Sequence, residues 1–359
     1  MAKTLLFTAP FILQTLPGVN AWGTLGHDTV AYIAQNFVTS ATKTFCQNIL
    51  GDTSTSYLAN VATWADTYRY TAEGSFSAPY HFIDAEDNPP TSCNVDYNRD
   101  CGADGCVVSA IQNYTSRVID SSLSSTEVTK ALKWIIHFVG DIHQPLHDEA
   151  LDVGGNTIDR VFPLSNDLLL FQTTFHLSNG SLPSSIITCP NQLTPPSDGT
   201  STNLHHIWDT NMPEKLVGGY TLTYASSWAS NLTTQIKTGA YKSQKDSWLS
   251  GIDLSDPASD SNTFVCSTVL KGGVNAVSGK ELDGSYYSTA IPVIELQIAK
   301  AGYRLAAWLN LIATGSPGLT VGKKPRGATP IEPVKVLPRD ENAEMSPAKL
   351  ARMAYGHKC

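Results

Sequence analysis

The sequence predicts an all-α protein with a single, mainly helical domain. Apolar residues recur at helical spacing in several long segments, and strand signals are short and few. No internal repeat interrupts this pattern. A chain of 359 residues with 42% hydrophobic residues is long enough and apolar enough to build a large core.

Helices are predicted wherever the apolar spacing of three and four residues persists. Residues 27–50 are predicted to form one or two helices. Further helices are predicted over residues 107–119, 126–142 and 222–236. The strongest stripe spans residues 294–312, and we expect Gly315 and Pro317 to end it.

Two segments do not follow the helical pattern. Residues 155–203 contain five prolines and many Ser, Thr and Asn residues, which predicts an extended loop with residues 167–175 as its apolar part. Residues 316–359 contain six prolines and mixed charges, which predicts a tail that is disordered or removable. The domain is therefore expected to span residues 22–315.

The first 21 residues have the pattern of a secretory signal. Lys3 precedes an apolar run over residues 5–16, and the small residue Ala21 ends the segment. Cleavage after Ala21 would free the α-amino group of Trp22, whose pKa of about 7.7–8.0 leaves a neutral amine available to a metal. We expect a secreted protein, and no other apolar run is long enough to cross a membrane.

Cysteines and sequons agree with this expectation. Seven cysteines in a secreted chain predict disulfides rather than a zinc site, since the chain has no C-x2-C pair. Acceptor triplets for N-glycosylation begin at Asn113, Asn179 and Asn231.

The net charge of −8 has the wrong sign for a protein that coats duplex nucleic acid with Lys and Arg. An anionic substrate would therefore need a local positive charge. A bound metal ion is one way to supply it.

Histidines and aspartates recur in pairs that could hold such an ion. His137 and Asp141 share one helix face at a spacing of four residues, and His205 and Asp209 repeat that spacing. One such pair alone is more often a hydrogen-bonded surface pair. Two pairs together with the further candidates favour a metal site, because imidazole and carboxylate are zinc ligands. The further candidates are His27, Asp66, His81, Asp84 and His147.

These residues lie in stretches that closely resemble the secreted, zinc-dependent single-strand nucleases of fungi and plants. Those enzymes are also called type I nucleases or 3′-nucleotidases, and they share a fold with bacterial zinc phospholipase C. The resemblance covers about residues 22–315. The matching stretches are Trp22-Gly-x-x-Gly-His27, Trp64-Ala-Asp66-x-x-Arg69, His81-Phe82-x-Asp84, His137-x-x-x-Asp141-x-His-Gln-Pro-Leu-His147, Asp152-x-Gly-Gly-Asn156 and Asn203-Leu-His205-x-x-Trp-Asp209.

The resemblance implies three zinc ions and assigns their ligands. The first ion would be held by Asp66, His81, His137 and Asp141. The second would be held by His147, His205 and Asp209. The third would be held by the amine and carbonyl of Trp22, with His27 and the shared Asp141.

It also implies a role for residues around the metals. Asp84 would act with its partner Arg69 at the reacting phosphate, and Asn211 would contact the phosphate side. Phe82 and Val153 would stack a base, with Asn156 in the accompanying glycine turn. The implied disulfides are Cys93 with Cys266 and Cys101 with Cys106.

The implied activity is hydrolysis of single-stranded DNA and RNA to 5′-phosphate products, with action on 3′-nucleotides, by a monomer. Residues 155–203 are longer than the family usually has at this place, so two alternatives remain. One is a phospholipase C-like phosphodiesterase, and the other is a secreted zinc-binding protein without activity. Cys46 has no obvious family partner.

Overall fold

The computed structural model describes residues 22–162, 200–249, 255–319 and 347–356. The predicted signal segment and most of the 155–203 loop, with Asn179 and Cys189, lie outside these residues. The described part is mainly helical, and its one sheet has two short strands, so the predicted all-α class is confirmed.

Fourteen α-helices occur in the described residues. They are α1 (Thr24–Gln35), α2 (Ser40–Leu50), α3 (Trp64–Tyr68), α4 (Tyr97–Asp100), α5 (Val107–Val118), α6 (Ser125–Asp141), α7 (Leu151–Gly154), α8 (Leu204–His206), α9 (Met212–Val217), α10 (Leu222–Lys237), α11 (Ser255–Phe264), α12 (Val274–Val277), α13 (Ser285–Thr314) and α14 (Pro347–Gly356). Short 3₁₀ turns cover Ala59–Val61, Ser75–His81, Pro145–Asp148 and Ser247–Leu249, and π-helical turns cover Ile207–Asn211 and Val265–Val269.

The core forms around the long helix α13. Helix α1 packs against α13 and α10, while α5 packs against α6, and α6 in turn contacts α13. The predicted stripe over residues 294–312 lies in α13, with Ile294, Ile298 and Leu305 fully buried. Gly315 ends the helix with φ of 73°, the left-handed conformation that glycine adopts without strain.

Helix α6 carries the first His–Asp pair and is ordered at both ends. Ser124 caps its start by accepting a hydrogen bond from the Glu127 amide at 3.3 Å. Apart from Lys133, the last eleven residues of α6 are buried, so His137 and Asp141 lie in the core. A side chain at Gly140 would place a Cβ 2.7 Å from the His27 ring, so glycine allows α1 to approach α6 here.

A two-stranded antiparallel sheet closes the base of the 155–203 loop. Strand β1 (Asp159–Phe162) pairs with β2 (Thr200–Asn203), with Asp159 opposite Asn203. The pairing places Phe162 next to Thr200. The second His–Asp pair, which follows β2 directly, is thereby placed next to the turn that begins at residue 151.

The described residues contain two disulfides. Cys93 is bonded to Cys266 and Cys101 to Cys106, the pairs that the resemblance implied. Cys46 is a buried free thiol, and burial raises its pKa to about 12.

The tail differs in part from its prediction. Residues 347–356 form helix α14, which contacts α7 and the Ser75–His81 turn. In this helix the two basic residues Lys349 and Arg352 are one turn apart and both are buried against the domain. No described helix is both long and apolar enough for a membrane crossing.

Candidate metal centre

The end of helix α6 supplies the centre of the site. His137 and Asp141 are both fully buried. The Nδ1 atom of His137 lies 2.7 Å from the carbonyl oxygen of Ala62, which can only accept, so Nδ1 carries the proton. Its Nε2 atom, the one left for a cation, lies 3.3 Å from carboxylate oxygens of Asp66 and Asp141.

Asp141 faces two groups of ligands at once. Its Oδ1 atom lies 3.2 Å from Nε2 of His27, and its Oδ2 atom lies 3.0 Å from Nδ1 of His81. The two oxygens of one carboxylate therefore point to different histidines, as a residue that bridges two ions would. His27 is stacked on the His137 ring with the centroids 3.9 Å apart.

His147, His205 and Asp209 form a second, adjoining group. The Nδ1 atom of His147 donates to the His81 carbonyl at 2.6 Å, and that of His205 donates to the Gly154 carbonyl at 2.7 Å. The free Nε2 atoms of the two rings face each other at 3.0 Å, and Oδ2 of Asp209 lies 3.2 Å from Nε2 of His205.

This geometry fits a bound cation. Burial lowers the pKa of His147 to about 3 and that of His205 well below its ordinary value, so both rings are neutral. Two unprotonated nitrogens at 3.0 Å repel each other unless a cation lies between or beside them. Other buried oxygen and nitrogen atoms of the site also have no hydrogen-bond partner among the described residues. They are His27 Nε2, both Asp66 carboxylate oxygens, Asp141 Oδ1 and Asp209 Oδ2.

The pKa values of the histidines near Asp141 and of Asp209 are shifted in different directions. Burial lowers the pKa of His81 to about 4. Burial opposes protonation of His137 as well, but the carboxylates of Asp141 and Asp66 raise its pKa to about 10. Burial raises the pKa of Asp209 well above its usual range. A divalent cation would compensate the charge of this buried carboxylate, which lies 3.2 Å from the neutral His205 ring.

Trp22 lies at the start of the described residues, close to these groups. Its ring is fully buried, and the next amide, of Gly23, donates to the Asp209 carbonyl at 2.8 Å. The segment that begins at Trp22 is therefore held next to Asp209, and His27 of the same segment contacts Asp141.

The predicted base pocket lies beside the metal groups. The Phe82 ring is 5% exposed, and Asp84 is 4% exposed. Opposite them is the α7 turn, in which Asp152 and Val153 both have positive φ, 50° and 60°. A β-branched residue rarely adopts this conformation, which is typical of strained functional turns. Asn156 donates from its side-chain amide to the Val153 carbonyl at 2.8 Å and so holds the turn.

The expected pair between Arg69 and Asp84 is not formed. Asp84 accepts instead from Arg352 of helix α14 at 2.5 Å, and the Arg69 guanidinium lies over the Tyr70 ring at 5.2 Å. Sequence spacing could not reveal this partner, because Arg352 is 268 residues from Asp84. Asn211 is half-buried, and its side-chain oxygen has no partner among the described residues.

Comparison with known proteins agrees with this site. The sequence model of the S1/P1 nuclease family matches residues 22–170 and 190–314. The chain belongs to the S1/P1 nuclease family. It is 55% identical to Nuclease S1 of Aspergillus oryzae over 300 residues, which cover 82% of this chain and 92% of that protein.

Other S1/P1 relatives span fungi and plants. Nuclease P1 of Penicillium citrinum is 48% identical over 298 residues, 81% of this chain and 97% of that protein. Endonuclease 3 of Arabidopsis thaliana is 29% identical over 312 residues, 84% of this chain and 92% of that protein. The matched regions contain every residue proposed above as a metal ligand. The S1/P1 family is one of metal-dependent nucleases, and the three buried groups of this chain are its candidate metal sites.

One residue of this S1/P1 site was missed from the sequence. Gln144 is fully buried, its side-chain amide nitrogen donates to Oδ1 of Asp209, and its oxygen accepts from the Leu146 amide. Gln144 therefore orients Asp209, a candidate ligand in the group with His147 and His205. Its place between His137 and His147 in the motif was the available signal.

Two nearby groups are not candidate metal sites. His143 is neutral: its ring donates to the Val139 carbonyl at 2.7 Å and accepts from Arg304 at 2.9 Å, so both ring nitrogens are used in hydrogen bonds. Asp87 and Glu149 approach the Cys93 sulfur, but that sulfur is in a disulfide and offers no thiolate.

Proposed function

We propose that this protein is a secreted, zinc-dependent endonuclease that hydrolyses phosphodiester bonds of single-stranded DNA and RNA to 5′-phosphate products and also acts on 3′-nucleotides. Its membership of a nuclease family supports the reaction class. The observation that carries the proposal is the assembly of three buried His and Asp groups, two of which share His137 and meet at the Asp141 carboxylate.

The donor set supports zinc. Buried imidazole nitrogens together with carboxylates suit Zn²⁺ better than Mg²⁺, which prefers oxygen ligands and keeps several waters. Three ions are proposed: one with Asp66, His81, His137 and Asp141, one with His147, His205 and Asp209, and one with Trp22, His27 and Asp141. When bound, zinc supplies positive charge to phosphate oxygens and makes water acidic enough to serve as a nucleophile near neutral pH.

The protein's own residues prepare this chemistry. Carbonyl acceptors at Ala62, His81 and Gly154 hold the Nδ1 protons of three histidines, so each ring keeps its ligand nitrogen turned inward. Asn211, with an unpartnered buried oxygen atom, is proposed to lie on the phosphate side. Because the pocket is preorganised, little reorientation is needed as charge develops on the phosphate.

Phe82 and Asp84 are proposed to select an unpaired base. A base must leave a duplex to reach the Phe82 ring, at a cost of a few kcal/mol. Stacking on the ring returns about 1–3 kcal/mol and tolerates any base. The resemblance implied that Asp84 acts with Arg69 at the phosphate. Because Asp84 and Phe82 contact the same guanidinium and Arg69 lies elsewhere, we propose instead that the Asp84 carboxylate accepts from donors on the base edge, and that Val153 closes the opposite side.

Secretion and a monomeric state are proposals of the same kind. The 1–21 signal pattern, the two disulfides and the sequons support secretion. Asn231 is exposed on α10 and Asn113 is half-buried on α5, so the former is the more accessible acceptor. The nuclease relatives and the aromatic pocket favour nucleic acid over the lipid headgroup of a phospholipase.

The deciding experiment combines metal analysis with digestion. Purified protein that begins at Trp22 is expected to carry about three zinc ions per chain and to digest heat-denatured DNA faster than native DNA. Phosphatidylcholine is the comparison substrate. Hydrolysis of the lipid in place of DNA, or zinc without hydrolysis of either, would overturn the proposal in favour of the corresponding alternative.

A further inference from the structure

Helix α14 lies over the base pocket of its own chain. Its two buried basic residues, Lys349 and Arg352, face the domain and are 5% and 7% exposed, whereas Leu350 on the other side is 49% exposed. The sequence model of the family ends at residue 314, so α14 lies beyond the region that the family model describes.

Arg352 fills the pocket. Its guanidinium carbon lies 4.4 Å from the centre of the Phe82 ring. One terminal nitrogen donates to Asp84 at 2.5 Å and to the Glu149 carbonyl at 2.8 Å, and the other donates to the Leu146 carbonyl at 2.7 Å. A charged side chain with so many partners is held firmly in place.

The contacts of Arg352 are those that an unpaired base would need. The guanidinium is planar, stacks on an aromatic ring and presents N–H donors to a carboxylate, as a nucleobase edge does. It also leaves no space on the opposite side, because a Cβ added at Gly154 would lie 2.5 Å from its nitrogen. The side chain thus occupies the gap between Phe82 and the α7 turn.

Lys349 secures the helix at a second point. Its ammonium group donates to the carbonyl oxygens of Cys101, at 3.2 Å, and of Gly105. Both acceptors belong to the small loop that the Cys101–Cys106 disulfide closes. A cross-linked loop is a rigid acceptor, so Lys349 fixes the direction in which the helix presents Arg352.

We propose that helix α14 is an autoinhibitory segment that occupies the base pocket of the same chain and competes with the substrate until it departs or is cut away within residues 320–346. The inference rests on the proposed function of the Phe82 pocket. A tethered segment acts at a high effective concentration, so modest intrinsic affinity is enough to keep the pocket filled.

The test compares the full-length, zinc-loaded protein with Arg352→Ala and with the matched control Leu350→Ala. The apparent Kd for adenosine 5′-monophosphate and the KM for a single-stranded oligonucleotide are measured. If the pocket is open only a fraction of the time, both constants are raised by the inverse of that fraction. Arg352→Ala is expected to lower both by about tenfold or more with kcat unchanged, because the pocket is then no longer closed for most of the time. Leu350→Ala is expected to match the wild type.

A second arm leaves α14 itself unmutated. A specific protease site is introduced within residues 320–346, and the cut protein is diluted. Cutting is expected to lower KM as Arg352→Ala does, and to have no further effect in the Arg352→Ala background. A peptide of residues 347–356 added to the cut enzyme is expected to restore inhibition competitively, and the peptide with Ala at position 352 is not.

The possible outcomes distinguish a failure of the autoinhibition proposal from a failure of the proposed nuclease function. Equal Kd and KM in the wild type, Arg352→Ala and the cut protein would overturn autoinhibition and leave α14 as a docked structural helix. Absence of hydrolysis in every form would overturn the proposed function. In that case the nucleotide Kd still decides whether Arg352 blocks the pocket.

Discussion

The metal centre and the base pocket lie side by side but are built in different ways. In the metal centre, the Nδ1 atoms of His137, His147 and His205 are held by main-chain carbonyls of buried segments. In the base pocket, Phe82 and Asp84 meet a strained turn and a side chain from the distant tail.

This difference implies different tolerance to change. Main-chain acceptors in the core remain in place when surface contacts are lost, so the metal centre is expected to keep its shape whether or not the tail is docked. Under the proposed autoinhibition, the pocket has two states, with Arg352 present or absent. Substitutions in the metal centre should therefore remove chemistry, and substitutions in the pocket should change substrate binding.

The largest effect is expected from Asp141→Ala. Because the two carboxylate oxygens face different histidines, the variant should lose about two zinc ions per chain and essentially all activity. Elemental analysis and oligonucleotide hydrolysis measure both quantities. The control is Glu86→Ala, which removes an exposed carboxylate and should change neither quantity. Full metal content in Asp141→Ala would refute the bridging role.

An N-terminal extension should have the next largest effect. Protein that retains Ala21 before Trp22 has an amide in place of the free amine, so the ion with His27 should be lost, and activity should fall by at least about 10–100-fold. Zinc content is compared with that of protein beginning at Trp22. Equal zinc content and activity in the two forms would remove Trp22 from the ligand set.

Gln144→Ala tests whether a residue that orients a ligand matters as expected. Loss of the hydrogen bond to Asp209 should weaken zinc binding at the second group by about 10–100-fold. The readout is the zinc concentration at half-maximal activity. Added zinc should restore activity, whereas a variant that is simply misfolded would not recover. An unchanged zinc dependence would contradict the orienting role.

The smallest effect is expected from Phe82→Ala in the cut protein, in which the tail no longer competes. Lost stacking should raise KM by about tenfold and leave kcat nearly unchanged, since stacking is worth about 1–3 kcal/mol. Tyr220→Ala, which removes an exposed aromatic ring elsewhere, is the control. A fall in kcat with constant KM would move Phe82 from the pocket to the reaction itself.

Local patterns predicted much of this molecule. The segments around α5, α6, α10 and the stripe in α13 were predicted to within a few residues, because their apolar spacing reports a buried helix face. The His–Asp pairs were found because four residues make one helical turn, which places both side chains on one face.

Other features had no local signal. The two-stranded sheet pairs residues at the two ends of the 155–203 loop, and a short strand without alternation predicts nothing by itself. Arg69 was assigned to Asp84 through the resemblance, but the guanidinium in contact came from a segment beyond the family region.

By itself, therefore, the sequence determined the helical class, the ligand types and their pairing along each helix, since these depend on residues within a turn or two of one another. Tertiary structure alone decided that Asp141 turns one carboxylate oxygen to His27 and the other to His81, that Gln144 orients Asp209, and that Arg352 fills the base pocket. Each of these is a contact between segments distant in the chain, and its formation depends on the packing of the whole core rather than on any local preference.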